Sequence, residues 1–222
     1  MSTLETTAKE SLRRESGKGR AVWLGMDQAE LDAAYDQAVY APNRDQVLKR
    51  NARNSELARA RLGPPRRLAY GPTSIEGLDL YAAATPNAPV AVYVHGGAWR
   101  QRFAKEYAFA AEMFVRAGAH FAVLDYIGID EAGGDLMVLA DQVRRGLAWV
   151  ARNAKTFGGD PGRVHVIGHS SGAHLAAVLL TTDWRRFDLA QNVIAGAVCC
   201  SGMYDLEPVR LSKRSTYVRF TD

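Results

Sequence analysis

Gly168-His169-Ser170-Ser171-Gly172 decides the fold, because of what stands on either side of it. The apolar run at 163–167 has a strand pattern, and the small and apolar residues at 173–182 have a helix pattern. A serine projecting from so tight a strand-to-helix turn needs glycine two positions before it and two after it, where a Cβ atom would collide. Ser170 satisfies that requirement, whereas Ser171 does not. The pentapeptide predicts that Ser170 is a nucleophile, the alternative being a serine that caps a helix.

A second glycine motif, His95-Gly96-Gly97-Ala98-Trp99, follows another apolar run, Val90–Val94. Acyl transfer places negative charge on a carbonyl oxygen, and backbone N–H groups fixed in advance stabilise that charge as an oxyanion hole. We predict that the donors are the N–H groups of Gly96, Gly97 and Ser171. Alone, the motif is equally consistent with a glycine turn that ends a strand. The order of the two motifs favours the oxyanion hole.

These motifs resemble those of α/β-hydrolases, in the esterase group that includes arylformamidases (kynurenine formamidase-like enzymes) and hormone-sensitive-lipase-like esterases. The matching segments are residues 95–99, 125–126, 157–161, 168–175 and 201–205. After Asp125-Tyr126 the related esterases often continue Arg-Leu-Ala-Pro, whereas Ile127-Gly128 follows here, which favours the formamidase-like group.

The resemblance implies a serine hydrolase that needs no cofactor and acts on small carboxylic esters or N-formyl aryl amides through an acyl-enzyme on Ser170. It also implies a substrate pocket formed by His95, Trp99 and His169, in which Trp99 shapes the acyl site.

The wider pattern predicts an α/β fold, because nearly continuous apolar strands alternate with helices. Such strands form a mainly parallel sheet covered by helices on both faces, with ligands at the carboxyl ends of the strands. Helices are predicted after Asp27, which has a capping-box spacing with Glu30, and over 44–62 and 135–154. The predicted strands are 77–84, 89–94, 120–125, 163–168 and 193–200.

The acid and base of a catalytic triad are harder to find. In this fold they follow the nucleophile as Asp or Glu and then His, and the one histidine after Ser170 is His174, four residues along a helix and pointing into packing. None of the five histidines is placed as a triad base. Asp205, after the last predicted strand, is a candidate acid, although in the resembled family that residue is usually structural.

About two strand-helix units, or roughly 60 residues, are expected to follow Asp222, because a βαβ unit takes about 30 residues. The sheet should then lack its last strands, and the chain would be a fragment. An inactive remnant, lacking the triad Asp and His and binding acyl ligands or nothing, stays open beside the enzyme. An open sheet edge would also allow a homo-oligomer.

Composition sets the remaining limits. The 222 residues are 47% hydrophobic, enough for a single domain over 22–222 with an N-terminal helical segment at 22–63 and a disordered tail at 1–21. No apolar run is long enough for a membrane span, and no zinc-ligand spacing indicates a metal. The net charge of +4 comes with interspersed acidic residues, so no nucleic-acid partner is expected. Adjacent Cys199 and Cys200 cannot pair easily, which favours a cytoplasmic location.

Overall fold

The structure, a computed structural model, describes residues 19–100 and 102–220. These residues divide into two compact units. One combines the described residues up to Arg44 with Asp205–Thr216, and the other combines Asp45–Tyr204 with the described residues from Tyr217 onward. Most of the tail predicted at 1–21 lies outside the described residues, and the single domain over 22–222 stays a prediction.

The described residues form seven α-helices and six strands. The helices are α1 (Gln28–Ala34), α2 (Gln37–Tyr40), α3 (Arg44–Leu62), α4 (Ala111–Arg116), α5 (Leu136–Asn153), α6 (Ser171–Leu180) and α7 (Glu207–Leu211). The strands are β1 (Arg66–Ala69), β2 (Gly77–Tyr81), β3 (Ala88–Val94), β4 (His120–Leu124), β5 (Gly159–His169) and β6 (Gly196–Cys200). Short 3-10 helices cover Ala104–Ala110, Ala154–Phe157, Trp184–Phe187 and Lys213–Thr216.

The first unit is helical. Its α1 begins with the predicted capping box: Asp27 Oδ1 accepts the Glu30 N–H at 2.9 Å, and Glu30 Oε2 accepts the Asp27 N–H at 3.0 Å. Farther along the helix, Asp32 Oδ1 accepts the N–H of Lys213 at 2.6 Å. That bond joins α1 to the late segment 205–216, which is distant in the sequence.

The second unit contains a six-stranded sheet in the order β1-β2-β4-β3-β5-β6. The pairs β1/β2 and β2/β4 are antiparallel, whereas β4/β3, β3/β5 and β5/β6 are parallel. The predicted mainly parallel sheet is therefore confirmed, with an antiparallel extension at one end. All five residues of β2 and all five of β4 are buried, as expected for strands covered on both faces.

Helices cover both faces of this sheet. On one face Phe121 of β4 stacks on Phe114 of α4, with ring centroids 4.9 Å apart. On the other, Leu124 of β4 packs so closely on Gly146 of α5 that an added Cβ there would lie 3.0 Å from it. The helices predicted over 44–62 and 135–154 match α3 and α5. The apolar residues that recur along α5 are buried except at its start: Leu136 is partly exposed, whereas Leu139, Ala140, Val143, Leu147 and Val150 are buried.

Strand limits differ from prediction where local signals mislead. The strand predicted from residue 193 begins at Gly196, because the Val193 N–H donates to the Ala190 carbonyl in a turn. Strand β5 begins at Gly159, four residues before its predicted start. Strand β1 was not predicted, since its sequence is Arg-Arg-Leu-Ala.

Strand β6 is the last in the sheet order, and its side chains are only partly covered. Val198 is 55% exposed. An apolar strand of this kind at a sheet edge is a surface on which other chains can pair. The homo-oligomer through this edge stays a prediction.

Candidate active site

Strand register brings the two glycine motifs together. The last residue of β3, Val94, aligns with Leu124 of β4 on one side and with Gly168 of β5 on the other. Residues that follow these three positions therefore emerge side by side at the carboxyl edge of the sheet. That edge is where ligands bind in folds of this kind.

Ser170 lies in a sharp turn between β5 and α6. Its φ is 55° and its ψ is −126°, a backbone conformation that residues other than glycine rarely adopt. Its N–H donates to the Cys200 carbonyl at 2.8 Å, and its own carbonyl accepts the Ala173 N–H at 2.9 Å. Strain of this kind persists only where surrounding contacts enforce it, and it concentrates at functional sites. The predicted sharp turn at Ser170 is thus present, and the role of Ser170 as a nucleophile stays a prediction.

The two flanking glycines are needed for close contacts. A Cβ at Gly168 would lie 2.6 Å from the Gly172 carbonyl oxygen. A Cβ at Gly172 would lie 2.2 Å from the Val94 carbonyl oxygen and 2.3 Å from that of His95. Gly172 therefore lets the first turn of α6 rest directly on the end of β3.

The loop after β3 meets the elbow at Gly96. A Cβ there would lie 3.0 Å from Ser170 Cβ and 2.8 Å from the His169 carbonyl oxygen. The following residues have φ values of 134° at Gly97, 58° at Ala98 and 60° at Trp99. In the part of the chain that the structure describes, the N–H groups of Gly96 and Gly97 donate no hydrogen bond. Gly96 thus lies against Ser170, and the N–H groups of both predicted donors have no hydrogen-bond partner among the described residues.

Ser171 begins α6, so its N–H belongs to the first turn, where helical N–H groups have no partner within the helix. The positive end of the helix dipole lies at the same place. Its side chain is fully buried and its hydroxyl oxygen has no hydrogen-bond partner. The predicted role of Ser171 as an oxyanion donor concerns its backbone N–H, and it stays a prediction.

His95 is buried between two tyrosines. Its ring stacks on Tyr126, with centroids 4.4 Å apart, and on Tyr107 at 5.1 Å, both at 11° between planes. Its Nδ1 lies 3.0 Å from the Gly96 carbonyl oxygen. Burial lowers the pKa of His95 to about 4, so the imidazole is neutral at physiological pH. The ring is closed off from solvent, and its predicted pocket role stays a prediction.

The tyrosine hydroxyls hold the same loop. Tyr126 Oη donates to the His95 carbonyl oxygen at 2.5 Å, and Tyr107 Oη donates to the Gly96 carbonyl oxygen at 3.0 Å. Neither tyrosine was predicted as a site residue. Residues 125–126 were considered only as a segment shared with the resembled family. Tyr107 is one of several apolar residues before Gly118.

The other predicted pocket residues have different environments. Trp99 is fully buried, and its ring meets His174 edge to face, with centroids 5.4 Å apart. That contact agrees with the packing role expected for His174. His169 has an exposed side chain whose ring reaches Gly96, and partial burial lowers its pKa. His169 is thus open to solvent whereas Trp99 is not, and the pocket role of each stays a prediction.

A buried carboxylate anchors the segment that follows the loop. Asp125, directly after β4, accepts the Ala104 N–H at 2.5 Å and pairs with Arg67 at 2.6 Å. Arg67 also pairs with Asp79 at 3.1 Å. Burial raises the pKa of Asp125, although Arg67 and the Ala104 N–H oppose the shift. Asp125 holds backbone and a cation together, which is a structural role.

Neither acid nor base is identified. Asp205 belongs to the first unit, where its exposed carboxylate accepts the Glu207 N–H at 3.1 Å. His120 is buried and accepts the Ala83 N–H at 3.0 Å. Within residues 19–100 and 102–220, no imidazole or carboxylate hydrogen-bonds the Ser170 hydroxyl.

The described residues provide neither a cluster of metal ligands nor a membrane-spanning helix. They contain no cluster of three His, Cys, Asp or Glu side chains arranged to hold a metal ion. None of their helices combines the length and apolar character needed to cross a bilayer.

Known proteins of similar sequence bear on the family of this chain. Residues 78–199, more than half of the chain, match the family model described as BD-FAE. Kynurenine formamidase of Danio rerio is 33% identical over 204 residues, covering 88% of this chain and 66% of that protein. Isoprenylcysteine alpha-carbonyl methylesterase ICME of Arabidopsis thaliana is 32% identical over 117 residues, covering 52% of this chain and 27% of that protein.

A crystal structure from Silicibacter sp. TM1040, provisionally named a thioesterase, superposes with a TM-score of 0.73. It is 24% identical and covers 86% of this chain and 71% of that one. The chain spans 66% of the length of the kynurenine formamidases that it matches. The family match and the fold together lead to one conclusion: this chain belongs to the BD-FAE family and has the α/β-hydrolase fold.

Proposed function

We propose that this chain carries the nucleophile and oxyanion hole of a hydrolase acting on small carboxylic esters or N-formyl aryl amides. The observation that carries the proposal is the contact of Gly96 with Ser170, which sets undonated N–H groups beside a strained serine. Similarity to a kynurenine formamidase and to a methylesterase supports both substrate classes.

In the proposed reaction Ser170 Oγ attacks the carbonyl carbon, and its proton passes to a general base. The electron pair of the C=O bond moves to the oxygen, whose charge is stabilised by the N–H groups of Gly96, Gly97 and Ser171. Collapse of this intermediate reforms the carbonyl and expels the alcohol or amine, which takes up a proton. Water then attacks the acyl-enzyme, or the formyl-enzyme for a formamide, and regenerates the hydroxyl.

A second candidate is binding of acyl compounds without turnover. It is favoured by one observation: within the described residues, no base hydrogen-bonds Ser170. A protonated serine hydroxyl is a weak nucleophile without such a base.

We also infer a cytoplasmic location, which the two unpaired cysteines, Cys199 and Cys200, support.

The adjacent serines provide the test. A fluorophosphonate probe should label the wild type and Ser171→Ala at one equivalent but should not label Ser170→Ala, because Ser171→Ala keeps the backbone N–H. Hydrolysis of p-nitrophenyl acetate and of an N-formyl aryl amide should show many turnovers in the first two proteins. A wild type that is neither labelled nor turns over substrate would favour the second candidate, and equal labelling of Ser170→Ala would remove the nucleophile assignment.

A further inference from the structure

The orientation of the two glycine N–H groups depends on the carbonyl of the peptide to which each belongs. In a trans peptide, C=O and N–H point in opposite directions. The Gly96 N–H shares its peptide with the His95 carbonyl, and the Gly97 N–H shares its peptide with the Gly96 carbonyl. Whatever fixes these two carbonyls therefore aims the two N–H groups.

Each carbonyl is fixed by a tyrosine hydroxyl. Tyr126 donates to the His95 oxygen at 2.5 Å, and Tyr107 donates to the Gly96 oxygen at 3.0 Å. His95 Nδ1 is the second partner of the Gly96 oxygen, at 3.0 Å. Because that oxygen only accepts, Nδ1 carries the imidazole proton. The His95 ring lies between the rings of Tyr107 and Tyr126 and stacks on both, so the three side chains form one group beside the loop.

We propose that Tyr107 and Tyr126 are positioning residues that aim and polarise the N–H groups of Gly96 and Gly97 toward the reacting carbonyl oxygen of a substrate on Ser170. This inference rests on the proposed function, since it assigns a role to residues behind the oxyanion hole. Neither tyrosine touches the substrate. Each acts through one peptide group.

Two physical effects make the hydroxyls matter. The loop has positive φ at Gly97, Ala98 and Trp99, so its backbone needs restraints to hold this conformation. A hydrogen bond accepted by the carbonyl of a peptide also polarises that peptide, which strengthens the N–H at its other end as a donor. Preorganised donors stabilise the charge without rearrangement during the reaction.

The tyrosines keep their protons under ordinary conditions. Burial raises the pKa of Tyr107 to about 12 and that of Tyr126 well above 10. Both therefore remain donors in any assay near neutral pH. The rings alone would suffice to pack on His95, and a phenylalanine would preserve that stacking while removing the hydrogen bond.

The test measures the rate at which a fluorophosphonate labels Ser170, because the phosphoryl oxygen of the probe develops charge in the same hole. The full chain is compared with Tyr107→Phe, Tyr126→Phe and the double variant. Tyr93→Phe is the matched control, since Tyr93 lies in the same aromatic cluster, 5.7 Å from Tyr107 between ring centroids, and has no hydrogen bond to the loop among the described residues. Saturation kinetics separate probe binding from the maximal labelling rate.

We expect each single variant to lower the maximal rate about tenfold, less than the 10²–10³ lost on removing a whole donor, while the half-saturating probe concentration stays within about twofold. Tyr93→Phe should match the wild type. Maximal rates equal to the control, or a loss confined to probe binding, would overturn the positioning role.

Thermal unfolding of every variant identifies simple misfolding, and if Tyr126→Phe does not fold, the less buried Tyr107 carries the test alone. Failure of the proposed function is distinguishable, because the wild type itself would then not be labelled at Ser170.

Discussion

Gly172→Ala tests how tightly the elbow is seated on the end of β3. The added Cβ would lie 2.2 Å from the Val94 carbonyl oxygen and 2.3 Å from that of His95. Ordinary contacts between carbon and oxygen lie above 3 Å, so α6 and β3 must separate by about 1 Å to admit one methyl group. Neither carbonyl can turn aside as a flexible side chain would, because both belong to the backbone.

The expected cost is large for so small a change. Overpacking of a well-packed interior costs about 1–3 kcal/mol, and the rigid backbone contacts place this substitution near the upper value. In a protein of this size about 1 kcal/mol shifts Tm by about 2–4 °C, so we expect a fall of about 6–12 °C. The Ser171 N–H moves with α6, and a misplacement of 1 Å can cost about 100-fold in rate.

The assay combines thermal unfolding with the fluorophosphonate labelling rate. Gly162→Ala is the control, because Gly162 also lies in the second unit and its nearest neighbour is a side-chain oxygen, Asp160 Oδ1, at 3.3 Å. The control should change Tm by no more than about 1 °C. If Gly172→Ala unfolded and reacted like the control, the close seating of α6 on β3 would be refuted.

Two further predictions concern buried charge. Arg67→Gln should destabilise the chain by about 1–3 kcal/mol, a value reduced for the partial exposure of Arg67, because Asp125 then lacks its counter-ion. Loss of Arg67 raises the pKa of buried Asp125 further, so the loss in free energy of unfolding relative to the wild type should grow from pH 4 to 7. A loss that does not change with pH, measured by urea unfolding, would contradict this prediction. Burial lowers the pKa of His95 to about 4, so the unfolded chain takes up a proton there at higher pH than the folded chain does. About 3 kcal/mol of the free energy of unfolding is therefore present above pH 6.5 and is lost as the pH falls toward 4. The free energy of unfolding of His95→Gln, measured in urea, should therefore fall less steeply between pH 6.5 and pH 4 than that of the wild type. Parallel curves for the two proteins would contradict this prediction.

The sequence predicts much of this site because the deciding constraints are local. Glycines two positions before and after Ser170 indicate a strained turn, and their contacts with neighbouring backbone agree with that reading. Strand β4 was predicted because four of its five residues, those at 121–124, are apolar. Strand β1 was missed because half of it is arginine, and Arg67 is present for its ion pairs with Asp79 and Asp125.

The tyrosines could not be predicted in the same way. Tyr107 and Tyr126 contact residues 11 and 31 positions away, and nothing in their own neighbourhoods indicates those partners. A tyrosine in an apolar stripe has the same periodicity whether its hydroxyl meets solvent or a carbonyl. Likewise, the burial of His95 and Trp99 depends on elements that converge only in the folded sheet.

The register of β3 couples the stability of the core to the geometry of the site. Because Val94 aligns with both Leu124 and Gly168, the loop after β3 has Tyr126 on one side and Ser170 on the other. A slip of one residue would turn every side chain of β3 to the opposite face, which the buried packing on both faces forbids. The same packing therefore keeps the His95 and Gly96 carbonyls on the hydroxyls of Tyr126 and Tyr107. A substitution that loosens β3 should for this reason impair labelling of Ser170 before it unfolds the chain.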